Sequence, residues 1–231
     1  MRLLAAAWLL AFAGVAAAGE ATIVAQESGV DARLRGISAV DARVAGASGR
    51  GGTVLRTIDG GARWQAVVVP GAGALDFRDI EAFDALTAVV LAIGPGEASR
   101  VYRTVDGGES WTEVLRNTDP RAFLDCMAFD GNRGWILGDP VDGRFQVYAS
   151  HDAGRSWTLQ DSALMADALP DEAAYAASGT CIAATPWGGR MVVTGGGAAR
   201  VLAQSRADGN WQAHRTSIAA RVPAAGSFSA T

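Results

Sequence analysis

Residues 104–111 read Thr104-Val105-Asp106-Gly107-Gly108-Glu109-Ser110-Trp111, and the chain repeats this stretch. The pattern is a hydroxyl residue, then Asp two positions on, Gly two further on, and Trp three beyond that. It recurs at residues 57–64 and 150–157, and in a degenerate form at 205–211. The four tryptophans are 47, 46 and 54 residues apart. A period near fifty residues predicts an array of supersecondary units, each a small β-sheet.

The residue types of the repeat predict a tight turn between two strands. An Asp carboxylate can accept hydrogen bonds from the backbone N–H groups that follow it, and Gly supplies a positive φ that other residues resist. The Trp begins the outgoing strand and buries a large apolar surface. We therefore assign a structural role to Asp59, Gly61 and Trp64, to Asp106, Gly108 and Trp111, to Asp152, Gly154 and Trp157, and to Asp208 and Trp211.

Calcium binding is the alternative explanation for a turn that contains Asp. One carboxylate per turn falls far short of the six to eight oxygen ligands that Ca²⁺ takes. We therefore expect no metal site, and the composition points to no cofactor.

The repeat resembles the Asp box, or bacterial neuraminidase repeat, of sialidases and other β-propellers. The segments at residues 75–80, 99–108 and 138–145 resemble bacterial relatives of the photosystem II stability and assembly factor family. This resemblance implies an exported, non-catalytic propeller of seven blades that assists the assembly of a membrane complex. Its implied partner is a protein, such as a subunit of that complex.

The segments between the repeats predict four short strands per unit, so the fold class is an all-β propeller of four-stranded blades. The apolar run Ala88–Ile93 is typical of a strand that is buried on both faces. Residues 19–231 hold about four units where the resembled family has about seven. We therefore expect a partial propeller that is truncated at its C-terminus, with a closed four-bladed ring as the alternative.

The first 18 residues have the features of a cleavable signal peptide. Met1-Arg2 is positively charged, residues 3–15 are apolar, and Ala16-Ala17-Ala18 precedes Gly19 as a small-residue cleavage site. The apolar run is shorter than the ~20 residues that span a bilayer. We expect a periplasmic or secreted protein with no integral membrane span after cleavage.

Charge argues against a nucleic-acid partner. The formal net charge is −4 at pH 7, and all 20 basic residues are Arg. Nucleic-acid-binding domains carry a basic patch or stripe instead.

Cys126 and Cys181 are the two cysteines, and an exported protein permits a disulfide. Both fall in the first strands of neighbouring units. Because inner strands of a propeller splay apart and a bridge needs Cα atoms within roughly 7 Å, the sequence favours two buried thiols over a disulfide.

Arginines recur in the connection between the second and third strands, on the face opposite the Asp-containing turns. Such residues could bind carboxylates or phosphates through charge-assisted hydrogen bonds. They could equally brace the fold by pairing with Asp79, Asp125, Asp139 or Asp142. The candidates are Arg50, Arg100, Arg144 and Arg200 in these connections, with Arg35 and Arg78 near the start of the first strands.

An exo-sialidase-like glycoside hydrolase is the rival function. Such enzymes use a Tyr nucleophile with an acidic partner. Tyr175 lies near Asp171 and Glu172 in a long inter-unit loop, which makes it the one plausible nucleophile. The arginine-bearing motif that opens sialidase sequences is absent, and we predict no catalytic residues.

Overall fold

The computed structural model describes residues 22–177, 179–186, 188–205, 209–218 and 226. Strands form antiparallel four-stranded sheets, and within each sheet neighbouring strands follow one another in the chain apart from one small insertion. The predicted all-β architecture of four-stranded units is therefore confirmed. The predicted signal peptide, Asp208 and residues 227–231 lie outside the described residues.

The first sheet contains β1 (Leu34–Ala39), β2 (Ala45–Gly49), β3 (Thr53–Thr57) and β4 (Gln65–Val68). The second contains β5 (Asp76–Ala82), β6 (Ala88–Ile93), β7 (Arg100–Thr104) and β8 (Thr112–Arg116). The third contains β9 (Leu124–Asp130), β10 (Arg133–Val141), β11 (Arg144–Ser150) and β12 (Thr158–Leu159). A two-stranded ribbon pairs β13 (Glu172–Ala173) with β16 (Gly195–Gly196), and the fourth sheet contains β14 (Ile182–Ala184), β15 (Arg190–Val193), β17 (Arg200–Gln204) and β18 (Trp211–Arg215). Short 3-10 turns occur at Gly96–Ala98 and Ser162–Leu164.

The hydrophobic core lies between successive sheets. The first strands β1, β5, β9 and β14 contact one another in chain order. As predicted, β6 is buried on both faces: Val90 and Ala92 pack towards the first sheet, whereas Val89 and Leu91 pack towards the third. Burial on both faces explains the unbroken apolar run in the sequence.

The repeated tryptophans fill the gaps between sheets. Trp111 packs into the cluster between the first and second sheets, Trp157 into the next cluster, and Trp211 into the cluster between the third and fourth sheets. Each ring therefore reaches back to the preceding sheet, where it buries the large apolar surface that the sequence predicts. Trp64 has no preceding sheet among the described residues, and its Nε1 donates to Gln26 Oε1 over 3.0 Å.

The turns that precede these tryptophans, at residues 57–64, 104–111 and 150–157, are named the Asp turns below. In the second sheet the Thr104 hydroxyl donates to Asp106 Oδ1 (2.7 Å) and accepts from the Gly108 N–H (3.0 Å). Asp106 Oδ1 also accepts from the Ser110 N–H over 3.0 Å. The same bonds recur in the other two turns. Gly108 adopts φ 92°, where a Cβ would also collide with Val67 of the first sheet.

The two cysteines form a disulfide, so the prediction of buried thiols was wrong. Cys126 in β9 and Cys181 just before β14 have Cα atoms 5.9 Å apart. Both residues are fully buried. The first strands of the third and fourth sheets run side by side at this depth instead of splaying apart, which brings the two cysteines within bridging distance.

Candidate functional site

The arginine-bearing connections lie opposite the Asp turns, as strand order requires. The Asp turns join third to fourth strands, whereas Arg50 lies between β2 and β3, and Arg100, Arg144 and Arg200 begin β7, β11 and β17. The structure divides the six predicted arginines into two groups. Three of them meet near the contact between the first and second sheets, and the other three are held within the second, third and fourth sheets.

The first group, named the axial arginines, consists of Arg35, Arg50 and Arg78, of which Arg50 and Arg78 contact the Asp76 carboxylate. Arg50 Nε lies 3.3 Å from Asp76 Oδ2, and Arg78 Nη2 lies 3.4 Å from the same oxygen. Burial lowers the pKa of Arg78, and the positive charges of Arg35 and Arg50 lower it further. Two guanidiniums therefore contact the Asp76 carboxylate, and a third lies near Arg78.

Close packing of β1 against β5 brings the axial arginines together. Gly36, next to Arg35, has no room for a side chain: a Cβ would lie 3.0 Å from the Asp79 Cα and 3.1 Å from the Arg78 carbonyl. The Arg50 side chain stays 62% exposed, whereas that of Arg78 is 10% exposed. The cluster is therefore open to solvent on the Arg50 side.

The outer arginines, Arg100, Arg144 and Arg200, each pair with a carboxylate and also donate to a backbone carbonyl. Arg100 lies 3.6 Å from Glu113 Oε2 and donates to the Glu97 carbonyl. Arg144 donates to the Ser162 carbonyl and contacts Asp167 Oδ1 over 2.8 Å.

Arg200 is the most deeply embedded of the outer arginines. Its Nε and Nη2 bind both oxygens of Glu172 at 2.8 and 2.6 Å, in a bidentate pair whose carboxylate side chain is fully buried. Arginine–carboxylate pairs therefore do brace the fold, as the sequence allowed. Their carboxylates are not the predicted Asp79, Asp125, Asp139 and Asp142 but Asp76, Glu97, Glu113, Asp167 and Glu172.

Residues 173–177, named the axial segment, lie against the axial arginines. Arg35 Nη2 donates to the Ala177 carbonyl over 2.8 Å, and Arg78 Nη1 donates to the Ala176 carbonyl. On the other side, the Ala174 N–H donates to Asp139 Oδ1 over 3.0 Å, and the Ala176 N–H binds Asp125. A stretch of backbone is thus held by side chains from three sheets.

The carboxyl groups around this segment have raised pKa values. Burial raises the pKa of Asp79 to about 7 and that of Asp139 to about 6. Burial, and then the neighbouring Asp139, raise the pKa of Asp125 well above its ordinary value. Burial therefore disfavours the charged form of Asp125, although the positive charge of Arg78 favours it.

Several buried polar atoms at this place have no hydrogen-bond partner among the described residues. They include Asp76 Oδ1, Arg78 Nε and Asp125 Oδ2. A buried polar atom without a partner costs roughly 1–3 kcal/mol, so its pairing with an added group is favourable. Both a donor and acceptors are therefore available at one place in the fold.

A cleft of about 890 Å³ adjoins the axial segment, lined by Arg121, Asp139, Asp171, Tyr175 and Gly196 among others. The hydrolase alternative placed Tyr175 beside Asp171 and Glu172, but Glu172 is bound to Arg200. Burial and then the charges of Asp139 and Asp125 raise the pKa of Tyr175. A raised pKa makes the tyrosinate harder to form, which is the opposite of what a Tyr nucleophile needs.

A second series of arginines was missed in the sequence, at the position directly before the hydroxyl of the Asp turn. Arg103 Nε donates to the Ala153 carbonyl of the next turn over 2.9 Å, and the Arg56 guanidinium lies against Gly107. The signal was visible, because Arg-Thr precedes both Asp59 and Asp106. Asp76 was also missed, although it lies in the quoted segment 75–80.

Membrane-spanning helices and clusters of metal ligands are both absent from the described residues. No described helix has the length and apolar character to cross a membrane. Within the same part of the chain, His, Cys, Asp and Glu form no group of three or more that could hold a metal ion.

Comparison with known proteins identifies the fold. No protein-family model and no curated protein matches the chain. The solved structure "YCF48 bound to D1 peptide" is 16% identical with a TM-score of 0.55, covering 80% of this chain and 55% of that one. YCF48 from Cyanidioschyzon merolae is 17% identical with a TM-score of 0.54, covering 82% and 60%. A GH74 xyloglucanase from Xanthomonas campestris is 15% identical with a TM-score of 0.52, covering 78% and 30%.

These likenesses show a β-propeller fold. The chain spans about 55–60% of the length of the two YCF48 structures that it matches. The number of blades in the intact ring therefore stays a prediction.

Proposed function

We propose that this chain is an exported, non-catalytic β-propeller that binds a carboxylate-bearing peptide segment of a protein partner at the axial arginines. The partner class that we favour is a subunit of a membrane complex, as the sequence resemblance implies. The family resemblance and the peptide held by the YCF48 structure support this proposal.

The observation that carries the proposal is the excess of guanidinium over carboxylate around Asp76. Arg50 and Arg78 share this one carboxylate, Arg35 adds a third positive charge near Arg78, and the Arg50 side chain is 62% exposed. Arginine forks bind carboxylates bidentately, and charge-assisted hydrogen bonds are about twice as strong as neutral ones. A peptide carboxylate placed here would also meet the unpartnered Arg78 Nε.

The test is peptide binding by a variant that carries both Arg35→Gln and Arg50→Gln. The probe is a fluorescein-labelled peptide with two adjacent aspartates and a free terminal carboxylate, followed by anisotropy. We expect the affinity to fall at least about tenfold, since two charge-assisted contacts are lost. Binding by the parent protein should weaken with salt, because exposed charges are screened over ~10 Å at 0.1 M and ~3 Å at 1 M.

The matched control carries Arg63→Gln and Arg155→Gln, which remove the same charge from exposed positions in two Asp turns. We expect this control to bind within about twofold of the parent. An equal loss of peptide affinity in both variants would show that the interaction is non-specific charge attraction, and it would contradict the proposal.

A glycoside hydrolase is the second candidate, because the cleft beside Tyr175 contains acidic side chains and the propeller neighbours include GH74 enzymes. The protein should release no product from a fluorogenic sialoside or from xyloglucan. Turnover that disappears in Tyr175→Phe would replace the binding proposal with an enzymatic one.

Export is tested by expression of the full chain in a bacterial host and mass analysis of the periplasmic fraction. We expect cleavage after Ala18, where small residues follow the apolar run. An exported protein that retains Met1 would show that the segment is an anchor.

A further inference from the structure

The axial segment is bound in the way that a separate peptide would be bound. Its carbonyl groups at Ala176 and Ala177 accept hydrogen bonds from Arg78 and Arg35, and its N–H groups at Ala174 and Ala176 donate to Asp139 and Asp125. The four side chains come from the first, second and third sheets, whereas the segment leads into the fourth. The segment begins in β13 and ends in a turn at residues 176–177, and donors and acceptors of its main chain are recognised from both sides.

The composition of the axial segment fits this interpretation. Residues 173–177 read Ala-Ala-Tyr-Ala-Ala, so four of the five side chains are methyl groups. Because methyl side chains make no hydrogen bonds, the alanines of the segment can be recognised through hydrogen bonds only by their main-chain N–H and carbonyl groups. Main-chain recognition accepts any peptide that adopts this backbone conformation with small side chains at these positions.

We infer that residues 173–177 occupy, as a tethered competitor, a site that takes a short small-residue peptide with the same turn at its end in trans. This inference rests on the proposed function and specifies its ligand and its regulation. A tethered occupant lowers the apparent affinity of an incoming peptide by the fraction of time that it keeps the site closed. Release of the axial segment therefore raises the affinity for a peptide.

The inference is tested by substitutions that remove an N–H group and leave the recognising side chains intact. Ala176→Pro removes the donor to Asp125, and Ala174→Pro, as a second variant, removes the donor to Asp139. The control is Ala166→Pro in the same connection, since Met165 before it is already extended at φ −89° and ψ 143°, which suits a residue preceding proline. All three variants are made in the full chain.

The probe is a fluorescein-labelled peptide with the sequence of residues 172–177, blocked at its C-terminus by an amide. We expect it to bind either axial variant about tenfold more tightly than it binds the parent or Ala166→Pro, because one hydrogen bond of the competitor is lost. A peptide N-methylated at the position of Ala176 should show no gain, since it lacks the same donor.

Equal affinity of the probe for all four proteins, or no binding to any of them, would overturn the inference. The proposed function fails separately, through loss of the aspartate-peptide binding described above. If that binding persists while the 172–177 peptide shows no preference, the site is real and the axial segment is merely structural.

Discussion

The Asp turns and the axial side of the molecule satisfy their polar groups over very different distances along the chain. In the Asp turns, Thr104, Asp106, Gly108 and Ser110 bond to one another within four residues. On the axial side, Arg35 and Ala177 are 142 residues apart, and Arg78 and Ala176 are 98 apart. Local turns shape each sheet, whereas long-range links hold the sheets to one another.

The two regions also differ in how completely their charges are paired. Hydrogen bonds from the Ser110 side chain and N–H, and then from Thr104, hold the pKa of Asp106 well below its usual range. Both oxygens of this carboxylate therefore accept hydrogen bonds within the turn. On the axial side, buried carboxyls have raised pKa values and Asp125 Oδ2 has no partner among the described residues. A region that is incompletely satisfied is the natural place for a ligand.

Loss of the link between the third and fourth sheets should have the largest effect on stability. Replacement of Cys126 and Cys181 together by Ala should lower the free energy of unfolding by about 4 kcal/mol, because the bridge closes a long loop in the unfolded chain; the two residues are 55 apart in sequence. Urea unfolding of the oxidised parent and the variant measures this difference. A change below about 1 kcal/mol would mean that packing alone joins these sheets.

Removal of a buried arginine–carboxylate pair should cost more stability than removal of an exposed one. Arg200→Met should cost about 3 kcal/mol, since it leaves the fully buried Glu172 carboxylate unpaired. Arg50→Met, whose partner is Asp76 and whose side chain is 62% exposed, should cost about 0–1 kcal/mol. Equal losses in chemical denaturation would remove the distinction between the outer and axial arginines.

The raised pKa of Asp79 predicts a stability that falls as pH rises. The folded protein keeps this proton up to about pH 7, whereas the unfolded chain releases it near the ordinary value of 3.8. Because the folded state then binds more protons, Asp79 by itself should lower the free energy of unfolding by about 2 kcal/mol between pH 5 and 7, and Glu81, whose pKa burial also raises to about 7, should add to this drop. In Asp79→Asn this contribution should vanish. Urea denaturation of the parent and the variant at pH 5 and pH 7 measures it, and an equal change in the free energy of unfolding with pH in both proteins would show that the assignment to Asp79 is wrong.

Loss of the hydroxyl in a single Asp turn should have the smallest effect on the free energy of unfolding. Thr104→Val keeps the shape of the side chain but removes the hydroxyl that links Asp106 to the Gly108 N–H, so we expect a loss of about 1 kcal/mol. Thr112→Val at an exposed position of β8 is the control and should be nearly neutral. A loss as large as that of the disulfide variant would show that the turns also hold sheets together.

The local half of the structure could be predicted from the sequence. The spacing of Asp106, Gly108 and Trp111 predicts a turn because all its bonds close within a few residues, and Ala88–Ile93 predicts a doubly buried strand from its composition. The face that carries the arginines follows from strand order alone. Each of these inferences needs only short-range geometry.

The long-range half could not be predicted in the same way. Arg200 pairs with Glu172, which lies 28 residues earlier in the chain. Nothing in the local sequence pattern favours this carboxylate as the partner over Asp139 or Asp142. The disulfide depends on how far two first strands splay, which is set by packing rather than by the cysteine positions. The axial segment is likewise unremarkable in sequence, because its recognition uses the main chain.

The binding of a peptide carboxylate at the axial arginines is tested most directly by ¹⁵N NMR of arginine side chains. All 20 basic residues are Arg, so each guanidinium contributes an Nε–H signal that single substitutions can assign. On titration with the aspartate peptide, we predict shifts for Arg35, Arg50 and Arg78, with Arg63 and Arg155 unmoved. Shifts confined to the Asp-turn arginines, or spread evenly over both faces, would contradict the account.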